Sequence, residues 1–178
     1  MRCFLAVVLP AEIRQELAEV QREARQLGLK ATWPGAGEMH ATLAFYGELD
    51  GNALREKIEA LSAVSFKPFE AAVAGVGFFP DASRPRVFWA GVNGLEALQA
   101  ETSKAAGYRN DKPFHGHVTL CRVKGGENVG RLAEFAAKTG NRNFGAFTVS
   151  EFVLKESKPT ARGPVYIDLQ KFGLAERG

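Results

Sequence analysis

Three histidines occur in 178 residues, and two of them open the same four-residue pattern, His40-Ala41-Thr42-Leu43 and His117-Val118-Thr119-Leu120. Both segments read as strands, in which residues i and i+2 share a face. His40 with Thr42, and His117 with Thr119, therefore project to one side, while Ala41, Leu43, Val118 and Leu120 turn toward a core. Two imidazoles and two hydroxyls meeting across one cleft suit general acid–base work on a phosphoester. Imidazole titrates near neutrality, so one copy can take a proton from an attacking oxygen while the other gives a proton to a leaving oxygen. Threonine hydroxyls can hold the non-bridging oxygens in line. The residue types leave open which histidine is acid and which is base. A lone His-x-Thr on a strand is ordinary; a matched pair using two of three histidines is not.

Other chemistries fit less well. His115 and His117, with Cys121 and His40, could supply nitrogen and sulfur ligands to a metal. No Cys-x-x-Cys, no His-Glu-x-x-His and no acidic neighbour accompanies them, so neither metal nor cofactor is expected. Gly75-Val76-Gly77 lacks the third glycine and following helix of a dinucleotide loop, and no Gly-Lys-Ser/Thr is present, which argues against a nucleoside-triphosphate site.

Around the pair stand secondary candidates for substrate binding. Arg122 lies five residues after His117 and Phe45 five after His40. Strict alternation puts both on the opposite face unless the strand twists or bulges, and a Phe there is a core residue by default. Arg122 would stack on a base or contact phosphate. His115, two residues before His117, could face the same cleft or orient the loop. Arg84, Arg86, Lys112, Lys124, Lys155, Lys158 and Arg162 fall largely in loops and could rim the site, and Trp33, Tyr46 and Phe114 could stack on a terminal base.

The elements that must position these residues repeat. Cys3–Leu9 reads as a buried strand ended by Pro10, too short to span a membrane and without a small-residue cleavage site. Ile13, Leu17, Val20, Ala24 and Leu27 form one face of a helix. A turn-rich stretch at Trp33–Gly37 leads to strand His40–Tyr46, a helix around Leu54, Ile58 and Leu61, and a strand Phe69–Phe79. The order recurs as strand Val87–Val92, a helix with Leu95, Leu98, Thr102 and Ala105, strand His117–Val123, a helix with Leu132, Phe135 and Ala136, and one long strand Phe144–Leu154. Pro164–Lys171 adds a last strand, alternating Val165, Ile167 and Leu169. From the start of the first strand of each half to its histidine motif the offsets are 37 and 30 residues, a difference that the Trp33 region can absorb. This predicts one domain over 1–178 in two pseudo-symmetric lobes, about 1–80 and 84–156, with a closing strand 164–171.

Composition sets the outer bounds. With 46% hydrophobic and 24% charged residues the chain is globular rather than disordered. At this size roughly 70% of the unfolded surface is buried on folding, so no disulfide or metal is needed. The net charge of +3 demands no nucleic acid but is compatible with a phosphate-bearing ligand. Two cysteines in apolar runs fit a reduced, cytoplasmic protein, and nothing calls for an oligomer, so a monomer is expected.

The paired His-x-Thr-Leu motifs resemble the signature of the two-histidine (2H) phosphoesterases, and among them the bacterial and archaeal RNA 2′,3′-cyclic phosphodiesterases, also called 2′-5′ RNA ligases. The resemblance extends to Phe4–Pro10, Arg84-Pro85-Arg86-Val87-Phe88-Trp89, Pro113-Phe114-His115-Gly116-His117, Glu156-Ser157 and Gly163-Pro164-Val165-Tyr166. It implies a bilobal α+β fold of duplicated β-α-β-α-β units, with largely antiparallel sheets around a central cleft. It implies hydrolysis of an RNA-terminal 2′,3′-cyclic phosphate, or of a small cyclic nucleotide, to a 2′-phosphate, with ATP-independent 2′-5′ joining as the reverse reaction. By resemblance His40 is the proton donor, His117 the proton acceptor, and Thr42 and Thr119 bind the phosphate. The competing reading is a non-catalytic RNA-end or nucleotide-binding module of the same fold.

Overall fold

The computed structural model describes residues 1–161 and 163–175. Among these, nine strands and four α-helices follow the order β1 (Arg2–Val8), α1 (Ala11–Arg25), β2 (Ala31–Thr32), β3 (His40–Glu48), α2 (Gly51–Ser62), β4 (Phe69–Phe79), β5 (Val87–Asn93), α3 (Glu96–Ala105), β6 (His117–Val123), α4 (Val129–Thr139), β7 (Asn143–Val149), β8 (Glu151–Lys158) and β9 (Val165–Gly173). The strands run β7-β4-β5-β6-β3-β1-β8-β9, with β2 beside β6. Every pairing between them is antiparallel. This is the α+β, duplicated, antiparallel architecture that the resemblance implies.

The two arms of the sheet meet at β3 and β6, where Ala41 and Val118 are the one directly opposed pair. Apart from β2, each arm has four strands, but neither is a continuous stretch of chain. β4, from the first half of the sequence, pairs with β5 and β7, while β8, from the second half, pairs with β1 and β9. The sheet interleaves the expected lobes 1–80 and 84–156: β4 of the first and β8 of the second each lie in the other arm. The long strand expected over Phe144–Leu154 is two strands for the same reason. It breaks at Ser150, β7 ending one arm and β8 entering the other.

Helices cover the sheet with the faces their periodicity marks. On α1, Ile13, Leu17, Val20 and Ala24 are buried, and on α3, Leu98 and Thr102. The α2 amino end is capped by the Asp50 carboxylate, which accepts from the amides of Asn52 and Ala53. Fully buried Phe88, Phe152, Leu5, Leu17 and Leu120 centre the core. Each such side chain contributes roughly 1.5–3 kcal/mol by leaving water. The alternating Val165 and Ile167 of β9 do not join it; they are exposed because β9 is the last strand of its arm. The Trp33 loop holds β2, which pairs with Val123 and Arg122 of β6, and a 3-10 turn at Ala36–Glu38. No described helix is long and apolar enough to cross a membrane.

Candidate active site

His40 and His117 are the first residues of β3 and β6, the strands that join the arms. Extending the Ala41–Val118 register by one residue either way sets His40 against Thr119 and Thr42 against His117. The sequence-derived faces hold. Ala41, Leu43, Val118 and Leu120 are buried at 0–2% exposure. Both histidines and both threonines line one cleft of about 90 Å³, together with Pro34, Glu38, Met39, Arg122 and Tyr166.

Each imidazole is held the same way. His40 Nδ1 lies 2.6 Å from the Glu38 carbonyl oxygen, and His117 Nδ1 lies 2.8 Å from that of His115. A carbonyl can only accept, so Nδ1 donates in both rings, and Nε2 is the nitrogen left for proton exchange. Aromatic walls fix the ring planes. Phe4 and Tyr166 pack on His40 at centroid distances of 4.9 and 5.0 Å. Phe79 stands edge-on to His117 at 4.8 Å, and Trp89 packs on His115 at 4.6 Å. Trp89 can lie there because Gly77 is beneath it, where a β-carbon would strike the indole. The Gly75-Val76-Gly77 segment is thus a bulged, close-packed strand: Gly75 has φ +73° and the register with β5 shifts between Val73 and Val76.

Burial pushes the His40 imidazole down from 6.5 to about 4, helped by the positive charges of Lys155, His117 and Arg122 and opposed by its bond to Glu38. His117 is lowered as well, by burial first and then by His115 and Arg122. Both rings are therefore held toward the neutral form in the free cleft. A bound phosphate acts in the opposite sense, since a nearby negative charge favours imidazolium.

Arg122 and Phe45 reach the histidine side through a pair of matching bulges. In β6, Cys121 pairs with Phe88 and Thr119 with Trp89, leaving Leu120 as an extra residue. In β3, Ala44 pairs with Leu5 and Thr42 with Ala6, leaving Leu43 as the extra residue. One inserted residue reverses the alternation that follows. Leu120-Cys121 and Leu43-Ala44 are accordingly consecutive buried pairs, and Arg122 and Phe45 turn outward. A bulge leaves backbone groups without ladder partners, and two buried glutamines answer this. Gln21 of α1 donates to the Leu120 carbonyl at 2.8 Å and to that of Pro34 at 3.0 Å. Gln99 of α3 donates to the Leu43 carbonyl at 3.4 Å and to Ser103 Oγ at 2.9 Å. Neither glutamine was singled out from the sequence, although each is a polar residue on the buried face of its helix.

A wider groove of about 960 Å³ shares Thr42 and His117 with the cleft and is lined by Phe45, Tyr108, Phe114 and His115 among others. Phe45 is 43% exposed, with the Arg2 guanidinium 5.0 Å from its ring centroid. Other expected contributors lie elsewhere. Tyr46 is turned to the far side of β3, packed on Tyr108 and beneath Lys57. Trp33 carries Arg25 on its ring. Lys158 pairs with Glu156, Lys155 pairs with Asp168 but stands near enough to His40 to act on its charge, and Arg162 lies outside the described residues. Cys121 is fully buried on the core side, so it does not join the histidines. Among the described residues no three His, Cys, Asp or Glu side chains are grouped to hold a metal ion. Tyr166, which the sequence offers only within a resembling segment, lines the cleft as Pro34, Glu38 and Met39 do, none of them a candidate from the motifs; β9 carries its ring to His40.

Fold and site together define a class, duplicated antiparallel α+β proteins with one His-x-Thr motif in each half facing a shared cleft. Residues 7–89 and 91–166 match the model of the LigT-like phosphoesterases, and the chain belongs to that family. It is 37% identical to an Archaeoglobus fulgidus RNA 2′,3′-cyclic phosphodiesterase over 97% of this chain and 99% of the relative. A second relative of that name, from Thermus thermophilus, is 34% identical over 98% of this chain and 90% of its own. Among solved structures, a Thermus thermophilus protein superposes with a TM-score of 0.80 at 31% identity, covering all of both chains. Escherichia coli LigT complexed with 3′-AMP superposes at 0.75 with 25% identity over 98% of each chain.

Proposed function

We propose that this phosphoesterase opens the 2′,3′-cyclic phosphate at an RNA 3′ end to a 2′-phosphate. The observation that carries the reading is the matched pair of imidazoles, each with Nδ1 tied to the carbonyl two residues earlier, lining one cleft with two threonines. The names of the relatives and the 3′-AMP bound to LigT support the substrate class.

In this mechanism Thr42, Thr119 and Arg122 hold the non-bridging oxygens. His117 Nε2 takes a proton from water as its oxygen attacks phosphorus; the bond from phosphorus to the 3′-oxygen breaks, and His40 Nε2 returns a proton to that oxygen. Exchange with solvent resets both rings. Each proton transfer is worth a factor of about 10²–10⁴. A 5′-hydroxyl in place of water gives a 2′-5′ bond with the same histidine roles. The terminal nucleoside occupies the groove beside Phe45 and His115. The two buried, unpaired cysteines support a reduced cytoplasmic setting, and the protein acts as a monomer.

The protein in excess chelator should convert 2′,3′-cyclic AMP to the 2′-phosphate, with His40→Ala and His117→Ala each inactive; full activity of either variant overturns the mechanism. Tight binding without product would favour the non-catalytic module. The deeper depression of His40 supports the reversed roles as a second reading. A substrate with sulfur at the 3′ bridging position decides between them, because a thiolate leaves unaided and rescues only the variant lacking the acid.

A further inference from the structure

The groove beside the cleft is larger than the reaction needs. At about 960 Å³ it stands at the top of the ~300–1,000 Å³ range of small-molecule sites. It presents rings from separate segments, Phe45 of β3 and Tyr108 and Phe114 of the loop before β6, more than one base can stack on. It also holds two exposed cations, Arg86 and Lys112, and one carboxylate, Asp111. Among the described residues neither cation has an acidic partner within ion-pair distance. The charge of the cyclic phosphate is answered in the neighbouring cleft by the histidines, threonines and Arg122. The groove cations are left for a second anion, set beyond the first nucleoside and next to aromatic surface.

Resting on the phosphodiesterase reading, we propose that this groove is a subsite for the penultimate nucleotide of an RNA 3′ end. Arg86 and Lys112 grip the phosphodiester that links it to the terminal nucleoside, and Tyr108 and Phe114 offer stacking surface to its base. A charged hydrogen bond to a phosphate oxygen contributes about 1.5–3 kcal/mol, roughly 10- to 150-fold. The site therefore selects a polynucleotide end over a free cyclic mononucleotide.

The test compares kcat/KM for 2′,3′-cyclic AMP, for the dinucleotide ApA with a terminal 2′,3′-cyclic phosphate, and for that dinucleotide with a neutral methylphosphonate linkage. The expected dinucleotide-to-mononucleotide ratio is about 10 or more, falling with salt by a log–log slope of about −0.7 per phosphate contacted. The ratio should collapse toward 1 in the Arg86→Ala/Lys112→Ala variant and with the neutral linkage. A wild-type ratio near 1, or a ratio unmoved by both changes, overturns the subsite. Failure to turn over any of the three substrates would instead overturn the phosphodiesterase reading, and calorimetric affinities for the same compounds then decide the subsite by the same ratio.

Discussion

Replacing Gln21 by Met removes two hydrogen-bond donors at nearly constant volume, and its consequences follow from the bulge it serves. The side chain is 4% exposed and donates at 2.8 Å to the Leu120 carbonyl and at 3.0 Å to the Pro34 carbonyl. Leaving a buried acceptor unsatisfied costs about 1–3 kcal/mol. The Leu120 bond is buried and the Pro34 bond only partly so, which brings the expected loss to about 2–4 kcal/mol. Gln99 in the other half is the internal control. Its bond to the Leu43 carbonyl is long, 3.4 Å, and its second bond goes to a hydroxyl, so Gln99→Met should lose about 1 kcal/mol. Urea unfolding at constant m-value reads this ranking. Activity on a cyclic mononucleotide reads the second consequence: without its tether the Leu120 bulge no longer fixes Arg122 in the cleft. Arg122→Ala should then cost less in the Gln21→Met background than in wild type, a non-additivity that marks two residues acting through one contact. Equal stability losses for Gln21→Met and Gln99→Met, with Arg122→Ala fully additive, would refute the tether.

Burial holds His40 near 4 and His117 below 6.5, so between about pH 6.5 and 4 the unfolded chain takes up protons that the folded histidines refuse. Their contribution to stability is complete above 6.5 and is lost as pH falls toward 4, and His40→Asn should flatten that part of an unfolding-versus-pH curve. The same depression moves the optimum of kcat/KM, which reports the free enzyme, to the acid side of 6.5, with the kcat optimum displaced to higher pH by the bound phosphate; coincident optima near 8 would contradict it. A β-carbon at Gly116 would fall well inside 3.0 Å of the Val92 carbonyl oxygen, a backbone atom that cannot swing away. Gly116→Ala should shift His117 by about 1 Å and lower kcat about 10²-fold, as steady-state kinetics would show. Deleting Leu120 removes the extra residue and sets Arg122 four positions after His117, so plain alternation keeps it on the cleft face and kcat/KM should stay above that of Arg122→Ala; a fall to the Arg122→Ala level would refute the alternation argument.

The amino-acid sequence by itself determined what is local and periodic. His40, Thr42, His117 and Thr119, their shared faces, and most of the strands and helices could be read off because alternation and helical spacing are properties of neighbouring residues. The pair was visible because histidine is scarce here and the half-motifs repeat. Tertiary structure decided the rest. Arg122 and Phe45 face the histidines only because each strand takes an extra residue, and that extra residue is stable only where Gln21 or Gln99 arrives from a helix 99 or 56 positions away. Tyr166 reaches His40 because β9 is brought alongside by β8 and β1, and the crossing of β4 and β8 between arms has no local mark at all. The low affinity of His40 for its proton belongs to the same class. It comes from the water that Phe4, Tyr166 and the facing strand exclude, and burial is a property of the assembled fold rather than of any residue in it.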